Sequence, residues 1–388
     1  MKILSFSYCF PNHLNPTWGM FVFQRLAALG NREDLQVCSP VPWFPLLTNN
    51  QEKSSSGALW QGMTVHRPGF FYIPGILKNW DAHFYARGLR NWFTKLCRSW
   101  KPDVLDAHFI WPDGVGVAAL AREMGIPYVI TLRGKLYECL KLSVQTQQCT
   151  EALCGASAVI SVSKKLADEA RKMGVSKNRL FIIPNGVDRD HFYPRRKKEC
   201  RRVLGLPEEG SLLVTVAHLG HRKGHHEVIK ALAGLPDYVR LVIVGGSAQG
   251  GTPEKLKAIA KEVGVEDRLI LPGPQSYEKI PLYFSAADAS VLASYREGCP
   301  NVVLESLACG TPVVAGDVGA VPDILPVPDV GRIVPSRSIE PLRLALAEVL
   351  EDNWKPEDVV RESGVRSWDE VALDVGKILK DIAKNADD

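Results

Sequence analysis

Two glutamates, Glu297 and Glu305, are the residues whose types and spacing most clearly suggest chemistry, with seven residues between them. The pattern predicts a strand ending at Val291-Leu292, a loop, and a helix that begins near Asn301. Asn at a helix cap would leave backbone N–H groups directed at an anion such as a phosphate. The two carboxylates could then accept hydrogen bonds from hydroxyl groups on either side of that phosphate. Spacing alone leaves a structural alternative open, because a glutamate in the first turns of a helix also complements the helix dipole.

The elements that would position these glutamates alternate between short β-branched strands and helices, which is typical of a parallel α/β sheet. Strands are predicted at 2–8, 35–37, 104–107, 128–131, 158–161, 212–216, 240–244, 269–271 and 289–292. Helices are predicted at 114–122, 164–172, 225–233, 253–263, 277–286 and 301–308. Because doubly wound sheets bind ligands at the carboxyl ends of their strands, the expected site is a cleft between two such halves.

The chain of 388 residues is long enough for two domains. Turn residues at 184–188 and at Pro194 indicate a break, so we predict a first domain at 1–190 and a second at 191–365. An amphipathic pattern over 366–388 predicts a C-terminal helix that packs back toward the first domain. Residues up to 190 carry a net charge of +8 and the remainder −4, which suggests that the halves face different partners.

Composition excludes several classes of protein. Apolar residues make up 46% and charged residues 23%, which rules out a disordered chain, a collagen-like repeat and a disulfide-stapled mini-protein. The net charge of +4 is too small to argue for nucleic acid binding. The nine cysteines form no Cys-x-x-Cys pair, so we expect reduced thiols, as in a cytosolic protein, and no zinc site. No apolar run reaches the roughly 18 residues of a membrane span.

Several motifs in order along nearly the whole chain resemble glycosyltransferase family 4. They are Phe10-Pro11-Asn12 with Gly19-Met20-Phe21-Val22, Asp106-Ala107-His108 with Pro112-Asp113-Gly114, Pro184-Asn185-Gly186-Val187-Asp188 with His191-Phe192, Arg222-Lys223-Gly224-His225, the Glu297-x7-Glu305 pair followed by Cys309-Gly310-Thr311-Pro312, and Gly319 with Pro322. The resemblance implies an α/β protein of the GT-B fold, with two Rossmann-like doubly wound parallel-sheet domains facing an interdomain cleft. It also implies a retaining glycosyltransferase.

The resemblance places the nucleotide-sugar donor mainly on the second domain. Glu305 would accept hydrogen bonds from the ribose hydroxyls, and Glu297 would contact hydroxyls of the donor sugar. Lys223 would neutralise the diphosphate, whereas a lysine in a Lys-Gly turn is otherwise a common solvent-facing residue. Backbone groups at the start of the helix would contact the diphosphate and the sugar, at Pro300, Asn301 and Val302.

The sequence departs from the family at His218. Many members have a phosphate-binding arginine at this position, within Val-Gly-Arg-Leu, where this chain has Val216-Ala217-His218-Leu219. Imidazole is mostly neutral at pH 7, although a neighbouring diphosphate would raise its pKa. Arg222 is close enough in sequence to replace the arginine, so the predicted donor site includes both residues.

Four residues of the first domain complete the predicted site. Gly19 would let the diphosphate approach closely because it has no Cβ, although a glycine in such a loop is often only a turn residue. His108 ends a predicted strand and matches a family histidine near the reacting sugar, whereas a lone histidine there is usually structural. Arg133 follows the next strand and is predicted, with Asn185, on the acceptor side.

The chemistry implied by the resemblance is transfer of a hexosyl group from a nucleoside-diphosphate sugar to a glycan or lipid-linked acceptor, in the biosynthesis of cell-surface polysaccharide or lipopolysaccharide. Retaining enzymes of this fold are thought to use front-face attack, in which the leaving phosphate helps to deprotonate the acceptor. Catalysis then rests on positioning and charge stabilisation by His108, Lys223 and Glu297. No metal and no cofactor are expected.

The sequence argues against three other functions. An NAD-dependent oxidoreductase needs Gly-x-Gly-x-x-Gly after an early strand, but only Gly19 follows the first strand and Val244-Gly245-Gly246-Ser247 lacks the spacing. A nucleotide-sugar epimerase of the GT-B fold would carry motifs that are not apparent. A catalytically impaired sugar-nucleotide-binding protein is disfavoured because Glu297, Glu305 and Lys223 are all present, with His218 the only hint in its favour.

Residues 70–101 suggest contact with a membrane surface. Residues 70–80 are apolar and aromatic, and five cations follow among aromatic side chains at Arg87, Arg90, Lys95, Arg98 and Lys101. Cations among amphipathic aromatics suit an anionic lipid surface. We therefore predict a cytoplasmic protein that is peripheral at the inner face of the cell membrane. The alternative is a core-facing helix with a solvated basic side.

Overall fold

The computed structural model of the protein describes residues 1–44, 54–248 and 250–387. The chain divides into two compact units: the first contains Met1–Asn185 and the C-terminal segment from Trp368, and the second contains Gly186–Ser367. The first unit therefore ends at Asn185 rather than at residue 190, and the second ends at Ser367 rather than at residue 365.

The main sheet of the first unit has eight strands within the described residues. The strands of this unit are β1 (Lys2–Phe6), β2 (Asp34–Cys38), β3 (Val41–Trp43), β4 (Ser54–Trp60), β5 (Met63–Arg67), β6 (Gly69–Phe71), β7 (Val104–His108), β8 (Tyr128–Leu132), β9 (Ala158–Ser161) and β10 (Leu180–Ile182). The sheet order is β10-β9-β8-β7-β1-β2-β5-β4, with β4 antiparallel to β5 and every other pair parallel. Strands β3 and β6 form a separate parallel pair.

Helices cover this sheet, so its central strands are buried on both faces. Every residue of β7 and β8 is buried, including Asp106, His108 and Thr131. The helices before residue 185 are α1 (Met20–Gly30), α2 (Asp81–Ser99), α3 (Val115–Met124), α4 (Leu136–Cys139), α5 (Ser143–Gly155) and α6 (Lys164–Lys172).

The second unit repeats the design with a sheet that is parallel throughout its described residues. Its strands are β11 (Ser211–Val216), β12 (Val239–Val244), β13 (Leu269–Gly273), β14 (Ala289–Leu292), β15 (Val313–Gly316) and β16 (Gly331–Val334), in the order β13-β12-β11-β14-β15-β16. Its helices are α7 (Lys197–Leu204), α8 (His225–Leu232), α9 (Pro253–Glu262), α10 (Ile280–Ala286), α11 (Asn301–Ala308), α12 (Val321–Ile324), α13 (Ile339–Glu351) and α14 (Pro356–Ser363). The chain order reverses between β11 and β14, and ligands of open parallel sheets bind at such a point.

The last helix, α15 (Trp368–Asp387), belongs to the first unit and packs against α1. Its buried residues Trp368, Val371, Val375 and Leu379 recur at helical spacing and join the core of that unit. Among the described helices of the whole chain, none has an apolar stretch long enough to cross a bilayer.

Candidate active site

The basic loop predicted to bind phosphate follows the carboxyl end of β11. A short 3-10 turn at His221–Lys223 ends at Gly224, which has a φ of 70° and precedes α8. A Cβ on Gly224 would overlap the backbone carbonyl of Ala293, so only glycine lets the loop pack this closely against the end of β14. The loop is therefore held at the carboxyl edge of the sheet.

Lys223 and Glu297 form an ion pair across this edge. The distance from Lys223 Nζ to Glu297 Oε1 is 2.6 Å, and the two side chains are only 18% and 16% exposed. Charge-assisted hydrogen bonds of this kind are among the stronger polar contacts in proteins. The structure therefore brings together the side chain predicted to bind the diphosphate and the side chain predicted to bind the sugar, although 74 positions separate them in sequence.

The Glu297 loop is supported from behind by the segment after β15. Gly319 has a φ of 54°, and a Cβ there would overlap the carbonyl oxygens of Glu297 and Gly298. The backbone N–H of Ala320 donates a hydrogen bond of 2.8 Å to the Gly298 carbonyl. This close backbone packing fixes the path of the loop and explains the glycine in the sequence motif.

The sequence predicted Asn301 as the N-cap of the helix that carries Glu305, but the cap lies one residue earlier. Pro300, with φ −76° and ψ 104°, is the N-cap of α11, and Asn301 is the first helical residue rather than the cap. The Pro300 carbonyl accepts a hydrogen bond from the N–H of Val303 at 3.1 Å. First-turn N–H groups such as that of Val302 have no acceptor within a helix, so they are directed toward an external acceptor.

Glu305 lies one turn inside α11 and is half-buried. Burial raises the pKa of its carboxyl group to about 7. Among the residues that the structure describes, none donates a hydrogen bond to this carboxylate. A desolvated carboxylate without a protein donor is costly unless a ligand supplies one, so Glu305 is suited to accept ligand hydroxyls.

His218 is half-buried and its ring is neutral. The backbone N–H of Gly220 donates to His218 Nδ1 at 3.2 Å, which identifies this nitrogen as an acceptor. Burial lowers the pKa of His218, and the cations Lys223 and Arg222 lower it further. In this state Arg222, not His218, carries a permanent positive charge beside Lys223.

Tyr295 connects the two loops of the site, and the sequence analysis did not identify it. Its backbone N–H donates to the Arg222 carbonyl at 2.9 Å. Its hydroxyl donates to Glu227 Oε1 at 3.0 Å and lies 2.8 Å from His226 Nε2. The guanidinium of Arg337 lies 4.2 Å from the centre of the ring. An aromatic residue two positions before Glu297 was the available signal, but its partners are visible only in the fold.

Gly19 of the first unit has a structural role. It is the N-cap of α1, with a φ of 76°. A Cβ at this position would overlap the carbonyl oxygen of Cys9, so the chain requires glycine there for packing. The turn interpretation of Gly19 therefore has a direct structural cause, and its approach to a diphosphate stays a prediction.

His108 lies in a buried polar network at the end of β7. Its Nε2 is 3.1 Å from Asp106 Oδ2, and Asp106 also faces Arg25 at 3.4 Å. Burial lowers the pKa of His108 to about 4, despite the opposing effect of Asp106. Burial acts to raise the pKa of Asp106, but Arg25 and His108 together hold it below its usual range. His108 is fully buried within its own unit and neutral, so its catalytic role stays a prediction.

The two residues predicted on the acceptor side contact each other. Arg133 donates from Nη1 to Asn185 Oδ1 at 2.8 Å, and both side chains are buried. The Arg133 guanidinium also lies 5.0 Å from the centre of the Phe21 ring. The pair thus links the residue after β8 to the end of the Met1–Asn185 segment of the first unit.

Asp188-Arg189-Asp190 is an Asp-x-Asp triplet, a pattern that holds a metal in other transferases. The Asp188 carboxylate accepts a hydrogen bond from the backbone N–H of His191 at 3.2 Å, as in an Asx turn. Over the described residues, no group of three or more His, Cys, Asp or Glu side chains could hold a metal ion.

Comparison with known proteins identifies both halves of the chain. The family model described as "Glycosyltransferase Family 4" matches residues 25–191, and "Glycosyl transferases group 1" matches residues 196–364. A protein of Bacillus subtilis strain 168, named for teichuronic acid biosynthesis as the glycosyltransferase TuaC, is 31% identical over 379 residues. That similarity covers 92% of this chain and 91% of the relative.

Solved structures show the same fold. Sucrose-phosphate synthase from Thermosynechococcus elongatus has a TM-score of 0.80 and 21% identity, and covers 98% of this chain and 99% of its own. HepE of Anabaena in complex with UDP has a TM-score of 0.77 and 18% identity, and covers 98% of this chain and 100% of its own. The predicted family and the predicted fold are both confirmed. The chain belongs to the group 1, family 4 glycosyltransferases, and it has the GT-B fold.

Proposed function

We propose that this glycosyltransferase is a retaining enzyme that transfers a hexosyl group from a nucleoside-diphosphate sugar to a glycan or lipid-linked acceptor in cell-surface polysaccharide biosynthesis. The observation that carries the proposal is the half-buried Glu305, which lacks a protein donor and lies on the same sheet edge as the Lys223–Glu297 pair. The relative named for teichuronic acid biosynthesis supports the polysaccharide class, and the UDP complex of HepE supports the donor class.

The donor fits this edge by charge and hydrogen-bonding capacity. The ribose hydroxyls would donate to Glu305, and the first turn of α11 would offer backbone N–H groups to the diphosphate. Lys223 would turn from Glu297 toward the diphosphate, which frees the Glu297 carboxylate to accept hydroxyls of the sugar. Binding thus replaces one protein ion pair with two contacts to the ligand.

The transfer step then requires stabilisation of the charge that develops on the departing diphosphate. Lys223 and Arg222 supply fixed positive charge, and α11 supplies N–H dipoles, in a partly buried site where such interactions are strong. No protein nucleophile is needed if the leaving phosphate oxygen takes the proton of the acceptor hydroxyl. The proposal includes no metal ion.

The test is a transfer and hydrolysis assay with a panel of UDP-, GDP- and ADP-sugars. We expect one nucleotide class to be hydrolysed slowly without acceptor, and the released sugar to keep the anomeric configuration of the donor by NMR. EDTA should leave the rate unchanged. An inverted product, or activity abolished by EDTA and restored by Mg²⁺ or Mn²⁺, would contradict the mechanism, and binding without turnover would favour a non-catalytic binding protein.

The proposed location is the cytoplasmic face of a membrane, through residues 70–101. Helix α2 exposes Arg87, Lys95 and Arg98, whereas Arg90 donates from Nε to Glu123 Oε2 at 2.9 Å in an ion pair. The three exposed cations would each contribute about 1 kcal/mol on an anionic surface. Because Arg90 is already paired with Glu123, it contributes less to membrane binding than the sequence pattern predicted.

Sedimentation with vesicles tests this location. The protein should bind vesicles that contain anionic lipid, release them as salt rises, and lose binding when Arg87, Lys95 and Arg98 are changed to Glu. The control is the same reversal at Lys255, Lys257 and Lys261 on α9, which changes the net charge equally. Equal loss in both triple variants would show a net-charge effect and contradict a specific membrane-binding face.

A further inference from the structure

A cavity lies within the first unit, at the carboxyl ends of its parallel strands. It has a volume of about 580 Å³, which is in the range of small-ligand sites. Tyr8 and Trp18 follow β1, and Trp111 follows β7. Phe70 and Tyr72 line another wall, and Leu142, after β8 and α4, completes it. Aromatic and aliphatic side chains therefore form most of a cavity at the edge where open parallel sheets bind ligands.

The charged groups of this cavity are already neutralised by one another. Lys78 lies 3.5 Å from Asp81, donates to the Ile73 carbonyl at 2.9 Å, and stands 3.7 Å above the Tyr72 ring. Lys135 and Glu138 form a second ion pair at 2.8 Å. Because each cation has an acidic neighbour, the cavity offers no excess charge to an ionic ligand. Its binding capacity is mainly apolar.

The cavity opens onto an exposed apolar rim, which we define as Ile76, Leu77, Trp80, Leu142 and Val144. Each of these side chains is exposed by 45% or more. The two parts of the rim are joined, because the Gln145 side chain donates to the Lys78 carbonyl at 3.2 Å. Exposed apolar side chains that adjoin an apolar cavity mark a surface that a partner or a lipid covers.

We propose that this cavity binds the apolar chain of a lipid-linked acceptor, with the rim in contact with the lipid surface. The occupant is of alkyl or isoprenoid chemistry, because aromatic and aliphatic side chains form most of the lining and the exposed rim beside it is apolar. The rim runs directly into α2, whose exposed cations were proposed above to face anionic lipid. This inference rests on the proposed function, since it names the class of acceptor.

Leu142 offers a variant that tests the cavity without threatening the fold. It is the N-cap of α5, with φ −125° and ψ 115°, and no side chain caps that helix. Asn is a favoured N-cap residue, so Leu142→Asn removes apolar surface while it should keep or increase helix stability. Leu344→Asn on α13 is the matched control, because Leu344 is 48% exposed and Leu142 is 45% exposed.

Equilibrium dialysis with octyl β-glucoside and methyl β-glucoside, both below the micelle concentration, separates the alternatives because the two probes differ only in the chain. We expect octyl β-glucoside to bind at least tenfold more tightly than the methyl compound. Leu142→Asn should reduce octyl binding severalfold, and Leu344→Asn should not change it.

Calorimetry with UDP, GDP and ADP is run on the same samples as a control. The proposed donor site lies on the other unit, so Leu142→Asn should leave nucleotide binding unchanged. Nucleotide binding unchanged by Leu142→Asn would show that this variant is folded and that the donor half of the proposed function stands independently. Equal affinity for both glucosides would indicate a glycan site and overturn the inference. Absence of octyl binding, or octyl binding that Leu142→Asn leaves unchanged, would also overturn it.

Discussion

At the scale of single residues, the protonation of His218 sets how the charge of the site depends on pH. The ring is neutral, accepts a hydrogen bond from the Gly220 N–H, and has a pKa lowered by burial and by Lys223 and Arg222. A bound diphosphate would oppose these effects and favour the imidazolium. His218 would then gain its charge only when the donor is present.

His218→Arg tests this account. Arginine stays charged at all accessible pH values, so the variant should keep or raise activity and lose the fall in kcat that we expect in the wild type as pH rises through the bound-state pKa of His218. The measurement is the pH profile of kcat from pH 5.5 to 9. A folded variant with collapsed activity would mean that the imidazole has a role that charge alone does not replace.

Asp113 is a second residue whose environment sets a pH dependence, here of stability. Burial raises the pKa of its carboxyl to about 8, although Tyr85 and the Tyr8 N–H donate to Oδ1 at 2.8 and 3.1 Å and oppose the shift. The folded protein therefore holds this proton at pH values where the unfolded chain has lost it. Asp113 thus contributes stability that is fully present below about pH 4 and is lost as pH rises through 8.

Asp113→Asn should remove this dependence, because the amide keeps the Oδ1 acceptor and cannot ionise. Between about pH 5 and 8 the free energy of unfolding of the wild type relative to the variant should fall by roughly 1 kcal/mol per pH unit. Chemical denaturation at several pH values measures the difference, in which the effects of His108 and Glu305 cancel. A constant difference across this range would show that Asp113 is ionised in the folded protein.

At the scale of elements, two loops on neighbouring strands make the proposed donor site, and Tyr295 joins them. Its backbone binds the loop after β11, and its hydroxyl binds Glu227 and His226 on α8. The loop that carries Glu297 is thus anchored to the element that follows Lys223. Tyr295 acts as a positioning residue, because its hydrogen bonds join the loops that carry Lys223 and Glu297.

Tyr295→Phe should loosen this junction. Loss of one hydroxyl with two partners should lower stability by about 1 kcal/mol. We also expect kcat to fall severalfold more than the donor KM rises, because the charged groups must be aligned most closely in the transition state. Steady-state kinetics beside Tyr238→Phe, at an exposed tyrosine, makes the comparison. Equal kinetics in both variants would show that Tyr295 is structural only.

The same scale shows what the sequence could predict. The central strands β1, β7, β8, β11 and β12 were predicted because each is a short segment rich in β-branched and other apolar residues. Strands β10 and β16 were among those missed, because three or four partly exposed residues at a sheet edge carry no distinct pattern. Strand β15 was also missed, although its four residues are buried, because so short a segment does not stand out in the sequence. Short runs of this kind take their structure from the neighbouring strand rather than from their own residues.

Within the candidate site, residue types were predictable but pairings were not. The sequence identified Lys223, Glu297 and Glu305 singly, whereas their contacts depend on loops from β11 and β14 that meet only in the folded sheet. The basic run before β11 shows the same limit. A basic run such as residues 195–202 usually indicates a solvated helix face, yet Arg201 is buried and donates to Asp288 and to several backbone carbonyls. The sequence alone does not distinguish an arginine that is buried among hydrogen-bond acceptors from an arginine at the surface.

At the scale of the whole molecule, each unit contributes a site at the carboxyl edge of its own parallel sheet. The second unit offers carboxylates, a lysine and a helix start, which suit a sugar nucleotide. The first unit offers an apolar cavity with neutralised charges, which suits an apolar acceptor chain. The chemical contrast between the two edges agrees with the division of labour expected of a glycosyltransferase, with a donor on one unit and an acceptor on the other.

Calorimetry with UDP, GDP and ADP measures whether Glu305 and its neighbours bind the nucleotide, as we propose. The wild type should bind at least one of these, and Glu305→Ala should weaken that binding by roughly 10- to 150-fold, as expected for loss of a charged hydrogen-bond acceptor worth about 1.5–3 kcal/mol. Glu262→Ala, at an exposed residue of α9, should bind as the wild type does. Unchanged nucleotide affinity in a folded Glu305→Ala variant would show that Glu305 does not bind the nucleotide.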